Sequence, residues 1–160
     1  MTLDDAPVLL ARESLGLASS EERAEETERL RRRIAQPTTL EEDGFLALAV
    51  EHEGTLVGDI QARAPRHGFP PGVCEIGLTL FVEVRGRGLG TDAVRLLTQH
   101  LHAVGWPRVQ ASTAVGNDGM RRALERSGYV LEGALRSFAP NGYGGRDDYA
   151  MYSSVQQPAG

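Results

Sequence analysis

Residues 85–90, Arg-Gly-Arg-Gly-Leu-Gly, place three glycines and two arginines where an alternating pattern gives way to a helical one. Glycine adopts positive φ without steric cost and lets a ligand approach the backbone closely. The first backbone N–H groups of a helix lie at the positive end of its dipole. Arg85 and Arg87 add fixed charge, and a hydrogen bond to a charged group contributes about 1.5–3 kcal/mol. The segment therefore predicts a phosphate or pyrophosphate site.

Spacing separates this segment from two other phosphate-binding motifs. The nucleotide-hydrolysing loop requires a lysine, and all 17 basic residues of the chain are arginine. The dinucleotide fingerprint G-x-G-x-x-G places its third glycine one position later than Gly90, and needs an acidic residue about 20 positions on that is missing here. A glycine turn formed only for packing is the remaining alternative, but it does not require two arginines.

Composition indicates one globular domain over residues 1–160, with 155–160 as a tail. The net charge of −5 argues against a general nucleic-acid binder, and the arginines at 31–33 follow an acidic run on the same predicted helix. No apolar run approaches the roughly 18 residues that cross a membrane, and the acidic start is unlike a signal peptide. The single cysteine, Cys74, argues against a disulfide or a cysteine metal cluster. We expect a cytoplasmic protein without a bound metal.

Hydrophobic periodicity predicts the order αα, βββ, α, β, α, ββ, which is typical of an α/β sandwich. Two helices precede Pro37. Strands at 45–50 and 55–62 form a hairpin near Gly54, a loop covers 66–72, and a third strand covers 73–81. A helix carrying Ala93, Val94, Leu97 and Leu101 follows, then a strand at 108–115, a helix at 117–128, and a strand pair at 129–138 and 147–155. We expect a mixed, mostly antiparallel sheet with helices on both faces.

The spacing Arg85-x-x-Gly88-x-Gly90 resembles the acyl-CoA pyrophosphate loop of the GNAT superfamily of N-acetyltransferases. Further segments in the same order, FLALAVEHEGTLVGDIQ, CEIGLTL, GWPRVQASTAVGNDGMRRALERSGYVLEGALR and DDYAMYSSV, resemble the ribosomal-protein N-terminal alanine acetyltransferases (RimJ/RimL-like). The resemblance covers about residues 45–155. It implies a GNAT-like sandwich with a V-shaped opening between two central strands for the pantetheine arm. The family normally opens with a strand before its first helix, whereas this sequence begins at the predicted helix, so we expect either that this strand is absent or that the start has been assigned late.

The resemblance also implies which residues bind acetyl-CoA, the expected co-substrate. Backbone groups near Leu80 and Val82 would pair with the pantetheine amides, and Asn117 would lie beside the pantetheine arm or simply cap a helix. The pyrophosphate would be held by backbone N–H groups of Arg85, Gly86, Arg87, Gly88, Leu89, Gly90 and Thr91. Arg121 and Arg122 would either reach the 3′-phosphate or be solvated.

Glu75 is the candidate general base, because it matches the glutamate of the family's E-I-G-Y pattern. The alternative is an exposed strand carboxylate without a role. An α-amine has an ordinary pKa of about 7.7–8.0, so a single carboxylate acting through water would suffice to take its proton. Cys74 lies on the apolar face of the same predicted strand and is interpreted as a buried hydrophobe, not a nucleophile.

The chain departs from the family where many relatives carry a tyrosine that protonates the departing thiolate. Leu124 stands at that position, and Tyr129 is an uncertain substitute. The leading prediction is an acetyl-CoA-dependent N-acetyltransferase acting on a protein N-terminus or a small amine, with a homodimer as an option. The alternatives are a non-catalytic acyl-CoA-binding module and a nucleic-acid binder that uses the arginines at 31–33. The first two helices and the loops at 64–72 and 139–147 are expected to line the acceptor side.

Overall fold

The computed structural model of the protein describes residues 40–156. The two helices predicted before Pro37 lie outside these residues, as does the part of the chain where the family's first strand is expected. Strands β1 (Phe45–His52) and β2 (Thr55–Arg63) form the predicted antiparallel hairpin. Its two turn residues, Glu53 and Gly54, have φ of 51° and 73°. Consecutive positive φ values are typical of the type I′ turn, whose twist matches that of the paired strands.

The remaining described elements follow the predicted order. They are β3 (Val73–Leu80), a 3-10 turn (Val82–Val84), α1 (Leu89–Ala103), β4 (Arg108–Ala114), α2 (Asp118–Arg126), β5 (Val130–Pro140) and β6 (Arg146–Val155). Helix α2 ends before Gly128, whose φ of 86° suits the left-handed C-terminal position. Neither described helix is long and apolar enough to cross a membrane.

The six described strands form one open sheet in the order β1-β2-β3-β4-β6-β5. Among the described strand pairs only β3 and β4 run parallel, so the predicted mixed, mostly antiparallel sheet is confirmed. These two strands pair over three residue pairs, from Val73↔Arg108 to Glu75↔Gln110. Beyond that point β3 continues to Leu80 and β4 to Ala114 without pairing to each other. The strands therefore separate, and the sheet has the V-shaped opening that the resemblance implied.

The apolar core lies between the sheet and the two described helices. Val94, Leu97 and Leu101 of the predicted helical stripe are buried in α1, and Leu124 of α2 is fully buried. Their neighbours in the core include Cys74 and Ile76 on alternate positions of β3. The helical periodicity of α1 and the alternating periodicity of β3 therefore both predicted side chains that belong to this core.

The other face of the sheet carries a hydrogen-bonded polar network that joins residues of four strands. Arg63 of β2 donates to Glu75 of β3, which also accepts from Gln110 of β4. The Gln110 amide oxygen accepts in turn from Arg108 Nε at 3.3 Å. Arg108 completes the network with a two-pronged contact to Glu132 of β5, at 2.8 and 2.5 Å.

The Glu132 carboxylate is predicted to make stability depend on pH in the acid range. Hydrogen bonds from Arg108 and from Ser153 at 2.7 Å lower the pKa of Glu132 from 4.5 to about 2. A folded-state pKa below the unfolded value stabilises the fold above about pH 4.5, and this contribution is lost as pH falls towards 2. We expect Glu132→Gln to have a lower unfolding free energy than the unmodified protein at pH 6.

Urea unfolding at pH 6, 4 and 2.5 measures this difference. The gap between the two proteins should shrink steadily with pH and nearly vanish close to pH 2. A gap of equal size at pH 6 and 2.5 would show that Glu132 stabilises the fold through packing and not through its charge.

Candidate functional site

A cavity of about 390 Å³ lies at the open end of the V, between the end of β3, the glycine turn and α2. The described residues that line it come from three segments of the chain: Leu78, Thr79, Leu80, Arg85, Gly86, Gly88, Gly90, Thr91, Asn117, Gly119, Met120, Arg122, Ala123 and Arg126. Open sheets of this kind bind ligands where neighbouring strands diverge, because loops and helix termini meet there.

Glycine is favoured in the turn for two separate reasons. Gly86 and Gly88 have φ of 77° and 86°, in the left-handed region that side chains disfavour. Gly88 is also the N-cap of α1, and its carbonyl accepts from the amide of Asp92 at 3.1 Å. Gly90 packs closely against β3, since a Cβ there would lie 3.2 Å from Leu78 Cδ2, and that side chain would have to shift to admit it. The first turn of α1 therefore lies close against β3, with its free N–H groups at the cavity.

Arg85 connects the turn to the strand before it. Its Nε donates to the backbone carbonyl of Leu80 at 2.9 Å, and both residues line the cavity. The contact holds the guanidinium at the cavity wall. Its other N–H groups donate no hydrogen bond to any of the described residues.

Asn117 is both a helix cap and a cavity residue. Its side-chain oxygen accepts from the amide of Met120 at 3.2 Å, which confirms the N-cap interpretation. It also lines the cavity, where its amide NH₂ has no hydrogen-bond partner among the described residues. Capping through the oxygen leaves these two N–H donors available to a ligand carbonyl.

The charges around the cavity have one sign. Arg85, Arg122 and Arg126 line it, and no aspartate or glutamate does so among the described residues. The positive end of the α1 dipole adds to this field. The site is therefore suited to a ligand with several negative charges.

Most residues predicted to bind the co-substrate meet at this cavity. Val82, Arg87 and Leu89 do not line it, while the other predicted binding residues do. Sequence reasoning missed Leu78, Thr79, Gly119, Met120, Ala123 and Arg126. On α2, Gly119, Ala123 and Arg126 recur at i, i+4 and i+7, so they share one side of the helix, and this spacing is visible in the sequence.

Glu75 lies at the last paired position of β3 and β4, outside the residues that line the cavity. Its side chain is 11% exposed and accepts from Arg63 Nη2 at 2.9 Å. Gln110 Nε2 and Ser112 Oγ each donate to it at 3.3 Å. A carboxylate has about four acceptor positions, so three donors leave one for a water molecule or an amine.

The side chains considered for other catalytic roles lie in the core. Burial raises the pKa of the Cys74 thiol to about 12, so it is a neutral thiol and not a nucleophile at neutral pH. Leu124 is fully buried. Tyr129 is 4% exposed, its hydroxyl contacts Thr98 Oγ1 at 2.7 Å, and burial raises its pKa. Tyr129 does not line the cavity, so the structure does not support it as a substitute acid.

Comparison with known families and structures agrees with this geometry. A family model described as an acetyltransferase (GNAT) domain matches residues 1–130, and the chain belongs to this family. Comparison with curated proteins found no match.

Three solved structures illustrate the likeness in fold. RimL, a ribosomal L7/L12 alpha-N-protein acetyltransferase in complex with coenzyme A, has 18% identity and a TM-score of 0.67, covering 92% of this chain and 79% of that one. The microcin C7 self-immunity acetyltransferase MccE, in complex with acetyl-CoA and AMP, has 22% identity, a TM-score of 0.66 and coverage of 86% and 71%. A ribosomal-protein-alanine N-acetyltransferase from Brucella melitensis has 21% identity, a TM-score of 0.63 and coverage of 92% and 85%.

Proposed function

We propose that this protein is an acetyl-CoA-dependent N-acetyltransferase that acts on a primary amine, either a protein N-terminus or a small amine. The observation that carries the proposal is the cavity at the V-shaped opening. It combines the N–H groups of a glycine turn with three arginines and no carboxylate among its described lining residues. Such a site fits the pyrophosphate of a coenzyme, and the family is one of acetyltransferases.

The residues proposed to hold the co-substrate divide into two groups. Backbone groups of Leu80 and Val82 and the free amide N–H groups of Asn117 would bind the pantetheine arm. The N–H groups of Arg85, Gly86, Arg87, Gly88, Leu89, Gly90 and Thr91 would bind the pyrophosphate. No group of three or more potential metal ligands occurs among the described residues, and no step of the proposed reaction requires a metal.

The acyl group would pass directly from thioester to amine in a ternary complex. The neutral amine attacks the thioester carbonyl, the C–N bond forms, and the C–S bond breaks to release a thiolate. Glu75 is proposed to take the proton that the amine loses, through its one unoccupied acceptor position. The buried, neutral thiol of Cys74 gives no support to an acetyl-cysteine intermediate.

The departing thiolate needs no strong acid. A free thiol has a pKa of about 8.5, so the thiolate is a competent leaving group near neutral pH. The proposed reaction can therefore proceed although Leu124 belongs to the core and no described side chain at the cavity is a carboxylic acid.

The proposal extends to the setting in which the protein works. It describes a RimJ/RimL-like enzyme with one N-acetyltransferase domain over residues 1–160, located in the cytoplasm and able to form a homodimer. The acceptor would approach from the polar face of the sheet, where the network around Glu75 lies.

The second candidate is an acyl-CoA-binding module without catalytic activity. The absence of an acidic group among the described cavity residues favours it, together with the three hydrogen bonds that occupy Glu75. It would bind acetyl-CoA with the same residues and release no thiol.

A thiol-release assay distinguishes the two candidates. Acetyl-CoA is incubated with the protein and a panel of N-terminal peptides and small amines, and free thiol is measured. Acceleration by at least one amine, with acetylated product identified by mass spectrometry, is the expected result. Binding of acetyl-CoA by calorimetry without acceleration by any amine would leave only the binding module.

A further inference from the structure

Helix α2 presents two arginines to the cavity, and neither of them belongs to the glycine turn that is proposed to bind the pyrophosphate. Arg122 and Arg126 are one helical turn apart, and both line the cavity with Ala123 between them. Residues four apart on a helix lie on the same side, so their guanidinium groups form one positively charged patch.

Neither arginine is occupied elsewhere in the described part of the chain. No ion pair or side-chain hydrogen bond joins Arg122 or Arg126 to another described residue, although carboxylates lie close by in sequence. Asp118, four residues before Arg122, lies nearer to Arg121, at 3.8 Å. Glu125 accepts from the Tyr152 hydroxyl at 2.9 Å.

Arg121 has a different role from its neighbour. Its Nε donates to the Tyr152 hydroxyl at 3.2 Å and its Nη1 to the carbonyl of Val115, also at 3.2 Å. These contacts join α2 to the sheet, and Arg121 does not line the cavity. Of the two arginines considered from the sequence as phosphate ligands, only Arg122 faces the site.

The positions of these charges match the chemistry of the proposed co-substrate. Coenzyme A carries a pyrophosphate and, at a separate point on its ribose, a 3′-phosphate. The glycine turn with Arg85 provides for one anionic group, and α2 provides a second cationic patch on a different wall of the same cavity. We infer that Arg122 and Arg126 bind the 3′-phosphate and make the site select coenzyme A over its dephosphorylated form.

The inference rests on the proposed function and is tested by binding of two ligands. Coenzyme A and 3′-dephospho-coenzyme A are titrated by calorimetry into the unmodified protein and into Arg122→Ala, Arg126→Ala and the double variant. We expect the double variant to bind coenzyme A about 10–100-fold more weakly, because two exposed, charge-assisted contacts are removed. Its affinity for the dephosphorylated ligand should be unchanged, so that its preference between the two disappears.

Two further variants make the comparison specific. Arg95→Ala removes an exposed arginine of α1 that is paired with Asp92 and does not line the cavity, and it should retain the full preference. Replacing both Arg122 and Arg126 by lysine keeps the charge without the planar fork, and should restore part of the preference.

The inference is overturned if the unmodified protein binds both ligands equally while still binding coenzyme A. It is also overturned if the double variant weakens both ligands by the same factor, or weakens neither. A flat titration of the unmodified protein with coenzyme A would instead contradict the proposed function itself, and the inference with it. Thermal unfolding of each variant shows whether a loss of binding reflects a loss of fold.

Discussion

Glu75→Gln is expected to lower kcat by about 10²–10⁴-fold, the usual contribution of a positioned general base. The substitution keeps the shape of the side chain and one oxygen acceptor, but removes the basic carboxylate. Affinity for acetyl-CoA should stay the same, because Glu75 does not line the cavity. A loss confined to kcat is the sign of a group that acts on the reacting amine and not on co-substrate binding.

The structure suggests how Glu75 is held for this role. Arg63 and Ser112 contact Oε1 from two neighbouring strands, and Gln110 contacts Oε2. The Gln110 amide oxygen is itself occupied by Arg108, so its NH₂ group faces the carboxylate. The unoccupied acceptor position is therefore on Oε2, and a glutamine at position 75 would place either an amide oxygen or an amide nitrogen there.

Steady-state kinetics with the best acceptor from the thiol-release assay measures the effect. Glu51→Gln is a matched control, because Glu51 is an exposed glutamate on β1 that does not line the cavity, and the change in charge is the same. Full kcat in Glu75→Gln would exclude Glu75 as the base. In that event Asp59→Asn should be measured next, since Asp59 is a buried carboxylate paired in register with the cavity residue Thr79.

Gly58→Ala is expected to have the largest effect on stability. A Cβ at Gly58 would lie 2.1 Å from the carbonyl oxygen of Thr79 and 3.0 Å from Leu80 Cα. Both are backbone atoms of β3, so no side-chain rotation can relieve the overlap. Overpacking of a core costs about 1–3 kcal/mol, and a backbone clash is expected to reach or exceed the upper end. Since Leu78, Thr79 and Leu80 line the cavity, coenzyme A binding should weaken as well.

Urea unfolding and calorimetry together check this prediction. Gly133→Ala is the control, because it places the same methyl group on a strand where nothing lies within 4 Å of the new Cβ. That variant should unfold at the midpoint of the unmodified protein or slightly above it, since alanine reduces the freedom of the unfolded chain. Equal midpoints for Gly58→Ala and Gly133→Ala would show that β3 can move away from Gly58 at little cost.

The order of the described elements was predictable because each depends on a repeating local pattern. Alternation at Cys74, Ile76 and Leu78 marked β3, and the spacing of Val94, Leu97 and Leu101 marked α1. The predicted strand ends were less accurate. Strand β5 extends to Pro140, beyond the predicted end at 138, and β6 begins at Arg146, one residue before the predicted start at 147. Pairing within the hairpin supports these extra residues, and such pairing leaves little trace in the local pattern.

The sequence by itself determined the glycine turn at 85–90. Its glycines, arginines and helix start are contiguous, and the conformation of such a segment depends mainly on its own residues. It also determined the cap at Asn117, for the same reason. Family membership followed from a set of such segments in order.

Only the tertiary structure decided which side chains share the site. Arg122 and not Arg121 faces the cavity because Arg121 is bound by Tyr152, a residue 31 positions later in the chain. Glu75 takes its partners from β2 and β4, and the V-shaped opening exists because β3 and β4 pair over only three residue pairs. Contacts of this kind depend on strand register and on packing between distant segments, and local periodicity specifies neither.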